Sequence, residues 1–230
     1  MKRVAAIKLD GLVANAHVKG TIEIAKAKGL EVVLLESYPA DTQDFSALLA
    51  KVKAARPDVF VAASVRLPDL VAITKRMKDL DLNAGMLNAV PYGLLPDYYK
   101  LLGKEAEYVY SGSYWEATLP YPGNAEFVAA YEAEWKRAPV VQSAAGYAAC
   151  RLLVETAGRV GSFDDEKLRA ALLATKTKTV FGDFAIDQRG FQTAHKPITI
   201  QWQDGKQVVV WPEEVASGKA RMPTPQWAAR

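Results

Sequence analysis

Cysteine is almost missing from this 230-residue chain, Cys150 being the only one. No intrachain disulfide can form, and no thiolate metal cluster can be built. Histidine is nearly as scarce, with His17 and His195 alone, which argues against a His-rich zinc or iron centre. No metal and no cofactor is therefore expected. No apolar run approaches the roughly 18–20 residues that a membrane helix needs, so membrane insertion is not expected. The opening, Met1-Lys2-Arg3-Val4-Ala5-Ala6-Ile7-Lys8, returns to charge after four apolar residues. A secretory apolar segment needs about 7–15, so this stretch does not read as a signal peptide.

Charge of one sign is also lacking. The 29 basic and 26 acidic side chains are interspersed and leave a net charge of +3. That is a small surplus and not a basic stripe aimed at phosphates, so no nucleic-acid partner is expected. No G-x-G-x-x-G follows an apolar run, and no G-x-x-x-x-G-K-[ST] occurs, which leaves nucleotide sites without support. Ser111-Gly112-Ser113 is not a G-x-S-x-G elbow, and neither histidine has triad partners in view. Asp164-Asp165-Glu166 lies where a helix begins, where dipole compensation explains it better than a metal. An enzyme is not expected.

What is present is a globular composition, 50% apolar and 24% charged, enough for one large core or two modest ones. Short apolar runs at 4–9, 31–36, 58–63, 84–89 and 107–111 suit strands buried on both faces of a parallel sheet. Helical stripes lie between them. Ala14, Val18, Ile22 and Ala25 form one, closed by Gly29; Phe45, Leu48, Leu49 and Val52 form a second. Leu70, Ile73, Met77 and Leu80 form a third behind Pro68, and a short aromatic segment, 97–102, gives a fourth. The alternation predicts an α/β fold with a doubly wound parallel sheet. From 116 to 124 two prolines and a glycine predict a rigid connector, and residues 125–173 read as three helices. An extended segment at 180–186 follows. A hairpin, 198–202 and 207–211, turns at Asp204-Gly205.

In an open parallel sheet, ligands bind beyond the carboxyl ends of the strands. The residues that follow those ends include Asp10, Val13, Ser64, Arg66, Asn88, Tyr92, Tyr114 and Trp115. Together they offer a carboxylate, a guanidinium, an amide, a hydroxyl and aromatic faces, which suits a small polar or zwitterionic molecule. Each also has a plainer reading. Asp10 caps a turn, Arg66 is a solvated loop charge, and Asn88 satisfies loop backbone. Trp115 and Tyr114 pack the connector.

Several longer stretches occur in a recognisable order: GLEVVLLESYPADTQDFSALLAKVKAARPDVFV (29–61), LPYPGNAEFVAAYEAEW (119–135), AAGYAAC (144–150), TVFGDFAIDQRG (179–190) and ITIQWQDGKQVVVWPEE (198–214). In that order they resemble the extracytoplasmic substrate-binding proteins of ABC importers, in the branched-chain amino acid (Leu/Ile/Val) binding branch. The resemblance implies a type I periplasmic-binding fold, a two-lobed clamp for an amino acid-like ligand, an ABC permease as partner and a periplasmic location. It implies that residues 1–111 with 198–230 form a Rossmann-like ligand-binding lobe. Residues 120–190 would be a partial, mainly helical lobe, with hinge crossings at 112–119 and 191–197. The opening third of a full-length member, with its leader and the first-lobe Ser/Thr loop that grips the ligand's carboxylate and ammonium, has no counterpart here.

This chain also departs from the family pattern. Where the family often has Asp-Asp-x-Tyr-Gly, it has Asp10-Gly11-Leu12-Val13-Ala14, so Val13 takes the aromatic position. Where a Gly- or Tyr-rich loop is common, it has Ala63-Ser64-Val65-Arg66. Two charge-assisted hydrogen bonds contribute roughly 3–6 kcal/mol together, a hundredfold to ten-thousandfold in affinity. The 230-residue chain alone is therefore expected to bind in the millimolar range or not detectably; micromolar binding by calorimetry overturns this. Phe127, Tyr147, Leu152, Leu153 and Val154 are expected to present an uncovered apolar face, and hence a homodimer through residues 125–173. A ligand-sensing module on the same clamp is the alternative function, and a small α/β enzyme the third.

Overall fold

The run Arg3–Leu9 is apolar on both faces because it lies at the centre of a sheet, with Val4 through Ile7 fully covered. It is β1 of a computed structural model that describes all 230 residues. With β2 (Glu31–Tyr38), β3 (Val59–Ser64), β4 (Met86–Pro91) and β5 (Tyr110–Ser113) it forms a parallel array. β8 (Ile198–Gln203) and β9 (Lys206–Trp211) extend the array as an antiparallel ribbon, giving the order β2-β1-β3-β4-β5-β8-β9. The chain divides into two compact units, Met1–Gly112 with Thr199–Arg230, and Ser113–Ile198.

In the first unit, α1 (Leu12–Ala27), α2 (Ser46–Ala55), α3 (Leu67–Asp79) and α4 (Pro96–Leu102) connect successive strands. α1 buries Ala14, Val18, Ile22 and Ala25, the stripe set by three- and four-residue spacing. α3 buries Leu70, Ile73 and Met77, but also Asp69 and Thr74, which the apolar pattern does not disclose.

Strand ends differ from the sequence expectation in a consistent way. β3 extends to Ser64 and β4 to Pro91, beyond the expected runs, because Ala63 pairs with Val90 and Ser64 with Pro91. β5 starts at Tyr110 and not at Glu107. The Glu107 carboxylate instead accepts the Asp204 and Gly205 N–H groups, each at 2.8 Å, and the Tyr99 hydroxyl at 2.8 Å. It docks the ribbon's turn onto the sheet. That turn has positive φ at both central residues, 53° at Asp204 and 77° at Gly205. Paired positive φ matches the right-handed twist of the flanking strands, which is why an Asp-Gly dipeptide stands there.

Beyond β9, the segment from Ser217 to Thr224 runs as a strap over the sheet. Its start is bonded to β9 by the Ser217 N–H to the Val209 carbonyl at 2.9 Å, and its middle is held by side chains of β8. Gln201, with no exposed surface, donates from Nε2 to the Arg221 carbonyl and accepts the Arg221 N–H at Oε1, both at 2.8 Å. Gln203 donates to the Lys219 carbonyl at 2.8 Å. The Thr224 N–H reaches the Gly85 carbonyl at 2.8 Å, and the Trp227 indole N–H reaches the Leu82 carbonyl at 2.9 Å.

The second unit holds α5 (Asn124–Trp135), α6 (Val141–Val160), α7 (Asp165–Leu173) and a small antiparallel pair, β6 (Thr177–Thr179) with β7 (Gly182–Phe184). β6 reads Thr-Lys-Thr and carries no apolar signal, and the extended segment expected at 180–186 narrows to β7. Asp164 caps α7 by accepting the Lys167 N–H at 3.0 Å. Trp115, Phe127, Ala144, Ala148 and Val180 form the core of this unit. Phe127 is thus covered, contrary to the expectation of an open face around it. Leu153 and Val154 do remain open, at 43% and 63% exposure. No helix is long and apolar enough to cross a membrane.

Candidate functional site

β1 and β3 are neighbours, so the segments that leave their carboxyl ends emerge side by side at one edge of the sheet. Here the first unit exposes aliphatic side chains that its core does not use. Leu12 is 86% exposed, Val13 47% and Val65 37%. Asp10, also exposed, follows β1, with its backbone N–H bonded to the Tyr38 carbonyl at 2.8 Å. Arg66 follows β3. The edge therefore combines one carboxylate, one guanidinium and a small apolar surface, which is the composition of a small-solute site.

The residues below this edge form a buried polar network. Asp69, in the first turn of α3, accepts the Ser64 hydroxyl at 2.9 Å and the Tyr38 hydroxyl at 3.3 Å, both at Oδ2. Its Oδ1 lies 3.3 Å from Arg66 Nε. Ser64 Oγ in turn accepts the Arg66 backbone N–H at 3.1 Å. Arg66 Nη1 donates to the Ala40 carbonyl. Burial, with the Asp69 charge adding to it, raises the Tyr38 hydroxyl well above the ordinary tyrosine range. Tyr38 thus remains a hydrogen-bond donor to Asp69 at neutral pH.

The expected contact residues fall into two groups. Asp10, Val13 and Arg66 lie at the edge, and Tyr92, half-buried, opens the short turn after β4. Ser64, Asn88 and Trp115 do not lie there. Ser64 is fully buried, with its hydroxyl engaged on both sides. Asn88 was expected in the loop beyond the fourth strand. Because β4 continues to Pro91, it lies inside the strand, opposite Val61 and Tyr110, and its Oδ1 is buried without a partner. Trp115 is 2% exposed in the second unit, and its indole N–H bonds Asn124 Oδ1 at 2.9 Å and the Val180 carbonyl at 3.1 Å. Tyr114, by contrast, is exposed.

Asp69 and Tyr38 are absent from the expected site, and Leu12 and Val65, though in the segments that follow β1 and β3, are not among the expected contact residues. Exposure of Leu12 and Val65 cannot be told from burial in an apolar pattern, and Tyr38 meets Asp69 only through the fold. Asp69 carried a signal, three residues after Arg66 at a helix start, but the same position is explained by dipole compensation alone.

In the second unit the His195 ring stacks on Phe181 with centroids 5.0 Å apart, and its Nε2 bonds the Tyr114 carbonyl at 2.9 Å. No group of three or more His, Cys, Asp or Glu side chains is placed to hold a metal ion. Burial raises the Glu116 carboxyl from its ordinary 4.5 to about 7, partly offset by the Ala117 N–H. As pH rises from 4.5 to about 7 the unfolded chain gives up this proton first, so stability falls across that window and is flat above it. The expected loss is on the order of 3 kcal/mol. Urea denaturation across that range measures it, and Glu116→Gln should flatten the slope; an unchanged slope refutes the assignment.

A model of the family described as periplasmic binding protein matches residues 1–207. Leu/Ile/Val-binding protein homolog 7 of Brucella suis is 27% identical, over 96% of this chain and 58% of its own length. Homolog 8 of Brucella abortus is 26% identical, over 86% and 51%. Among solved structures, a leucine binding protein from Thermotoga maritima superposes with a TM-score of 0.77 at 21% identity, over 90% of this chain and 59% of its own. A solute binding protein of an ABC transporter from R. palustris, in complex with benzoate, superposes with a TM-score of 0.78 at 19% identity, over 96% and 60%. At these identities the structural likeness is one of fold. The chain spans little more than half the length of the relatives it matches.

Proposed function

This chain belongs to the periplasmic binding protein family, and from that premise we propose that it binds a small amino acid-like solute, without chemical change, for an ABC import system. The supporting observation is the exposed edge at β1 and β3, where Asp10 and Arg66 flank Leu12, Val13 and Val65. The relatives' names point the same way, to leucine, to Leu/Ile/Val and to benzoate, each a carboxylate on an apolar body. In this reading Asp10, Val13, Arg66 and Tyr92 touch the solute, Ser64 acts from beneath, and Trp115 belongs to the core. Residues 1–111 with 198–230 act as the ligand-binding lobe, and residues 120–190 belong to the other lobe. Residues 112–119 and 191–197 are the crossings, a permease is the partner, and the location is periplasmic.

Titration of the isotope-labelled chain with leucine tests the reading. The amide signals of Leu12, Val13, Val65 and Arg66 are expected to move together at millimolar leucine. Shifts confined to other residues, or none, overturn it.

The second unit supports self-association. A groove of about 580 Å³, lined by Leu152, Leu153, Leu172, Phe181, Phe184 and Ile186, lies beside the open Leu153 and Val154. In this reading residues 125–173 pair two copies, and Leu153→Asp returns the chain to a monomer by light scattering. A monodisperse monomer of the parent chain at high concentration overturns this.

A further inference from the structure

Arg66 is the only basic side chain among the edge residues proposed above to touch the solute, and its guanidinium makes two contacts with the protein. Nε faces Asp69 Oδ1 at 3.3 Å, and Nη1 donates to the Ala40 carbonyl, which leaves Nη2 without a protein partner. Its carboxylate neighbour is fixed more firmly still. Asp69 is 4% exposed, sits in the first turn of α3, and has its other oxygen taken by the Ser64 and Tyr38 hydroxyls. Three residues from the ends of β2 and β3, Tyr38, Ser64 and Arg66, thus converge on one buried carboxylate.

A long arginine side chain at an exposed loop ordinarily samples many rotamers, and ordering it on binding costs affinity. Here part of that ordering is supplied in advance by the contacts with Asp69 and the Ala40 carbonyl. The free Nη2 carries two N–H donors, and a guanidinium of fixed orientation recognises a carboxylate far better than a freely moving ammonium does.

We propose that Asp69 is a positioning residue that presents Nη2 of Arg66 to the solute, and that Arg66 thereby selects carboxylate-bearing ligands over neutral or cationic ones of the same shape. The proposal rests on the small-solute reading of this edge and adds to it the charge of the ligand and the residue that reads it. Leu12, Val13 and Val65 would take the apolar body, and Arg66 the anionic end.

Three probes of one shape separate the possibilities: isovalerate, isovaleramide and isoamylamine. Each is titrated into the full isotope-labelled chain while the Arg66 Nε–H signal and the Leu12, Val13 and Val65 amides are followed. Isovalerate is expected to shift both sets and to bind at least about tenfold more tightly than isovaleramide, the difference that one charge-assisted contact gives. Arg66→Gln should bring the two affinities together while leaving the aliphatic shifts in place. Asp69→Asn, which keeps the volume, should weaken isovalerate by about three- to tenfold and hasten exchange of the Arg66 Nε–H. A purely structural role for Asp69 would not alter the preference between probes. Arg76→Gln, in the same helix and paired with Asp79 at 3.3 Å, serves as the control and should leave the preference intact.

If all three probes shift the aliphatic amides equally, the charge assignment is wrong and the site stands. If none does, the site reading itself fails and the proposal with it. If Asp69→Asn keeps the full preference for isovalerate, Asp69 is not the positioning residue.

Discussion

Trp115→Ala is expected to unfold the second unit while the parallel strands of the first stay protected. The indole is 2% exposed and meets the Phe127 ring edge-on, with centroids 6.0 Å apart. Truncation of a buried tryptophan costs about 3–5 kcal/mol in packing alone. The indole N–H also satisfies Asn124 Oδ1 and the Val180 carbonyl. Asn124 in turn donates to the Leu119 and Ala117 carbonyls, at 2.9 and 3.1 Å. The connector, the start of α5 and the turn after β6 are thus tied in one buried knot, and few fully buried side chains support it. Hydrogen exchange separates the units: amides of α5 and α6 should lose protection, and those of β1, β3 and β4 should keep it. Trp115→Phe should cost less, about 1–3 kcal/mol, since one aromatic ring remains while the N–H and the five-membered half of the indole go. A Trp115→Ala chain that melts within about 1 kcal/mol of the parent would show that the knot does not hold the unit.

The second large effect belongs to the strap. Gln201 makes four bonds: to the Tyr108 and Arg221 carbonyls, from the Arg221 N–H, and from Gln203 Nε2 at 2.7 Å. Alanine there removes all of them from a fully buried position. Each buried group left unsatisfied costs about 1–3 kcal/mol, so the strap is expected to lift off and regain water. The net loss is expected to be about 3–5 kcal/mol. Trypsin provides a direct readout, because the strap carries Lys219 and Arg221. The parent should resist cleavage there, and Gln201→Ala should be cut after both residues before the rest of the chain is touched. Equal resistance in the two proteins would mean that the strap is held by other contacts.

Much of the first unit was legible in its sequence. β1 to β4 appeared as apolar runs, and α1 as four residues at helical spacing, because burial on two faces and on one stripe leave different periods. The Asp204-Gly205 turn was legible because few dipeptides tolerate positive φ twice in succession. β6 was not, since Thr-Lys-Thr becomes a strand only by pairing with Gly182 to Phe184. Nor was the strap, because Gln201 and Gln203 alternate with apolar neighbours in β8 as a solvated face would.

The candidate site divides in the same way. The rule that ligands meet strand ends places Asp10 and Arg66 at the edge. It does not fix the end to the residue, and in a strand one residue's slip turns a side chain to the opposite face. Ser64 is the last residue of β3 and Asn88 lies between apolar residues within β4, so both belong to the sheet and not to the loops beyond it. Trp115 was ambiguous for another reason: an indole suits a binding wall and a core equally, and only its two internal acceptors decide.

The place of β8 in the sheet also constrains how the protein is made. β8 abuts β5 through bonds such as Trp202 N–H to the Val109 carbonyl at 3.0 Å, yet the whole second unit is encoded between them. A nascent chain that has emerged only as far as Gly112 has an open β5 edge, with its permanent neighbour not yet translated. During synthesis that edge stays unpaired until β8 emerges, and slowing the ribosome ahead of Ile198 should lengthen the exposure and favour aggregation.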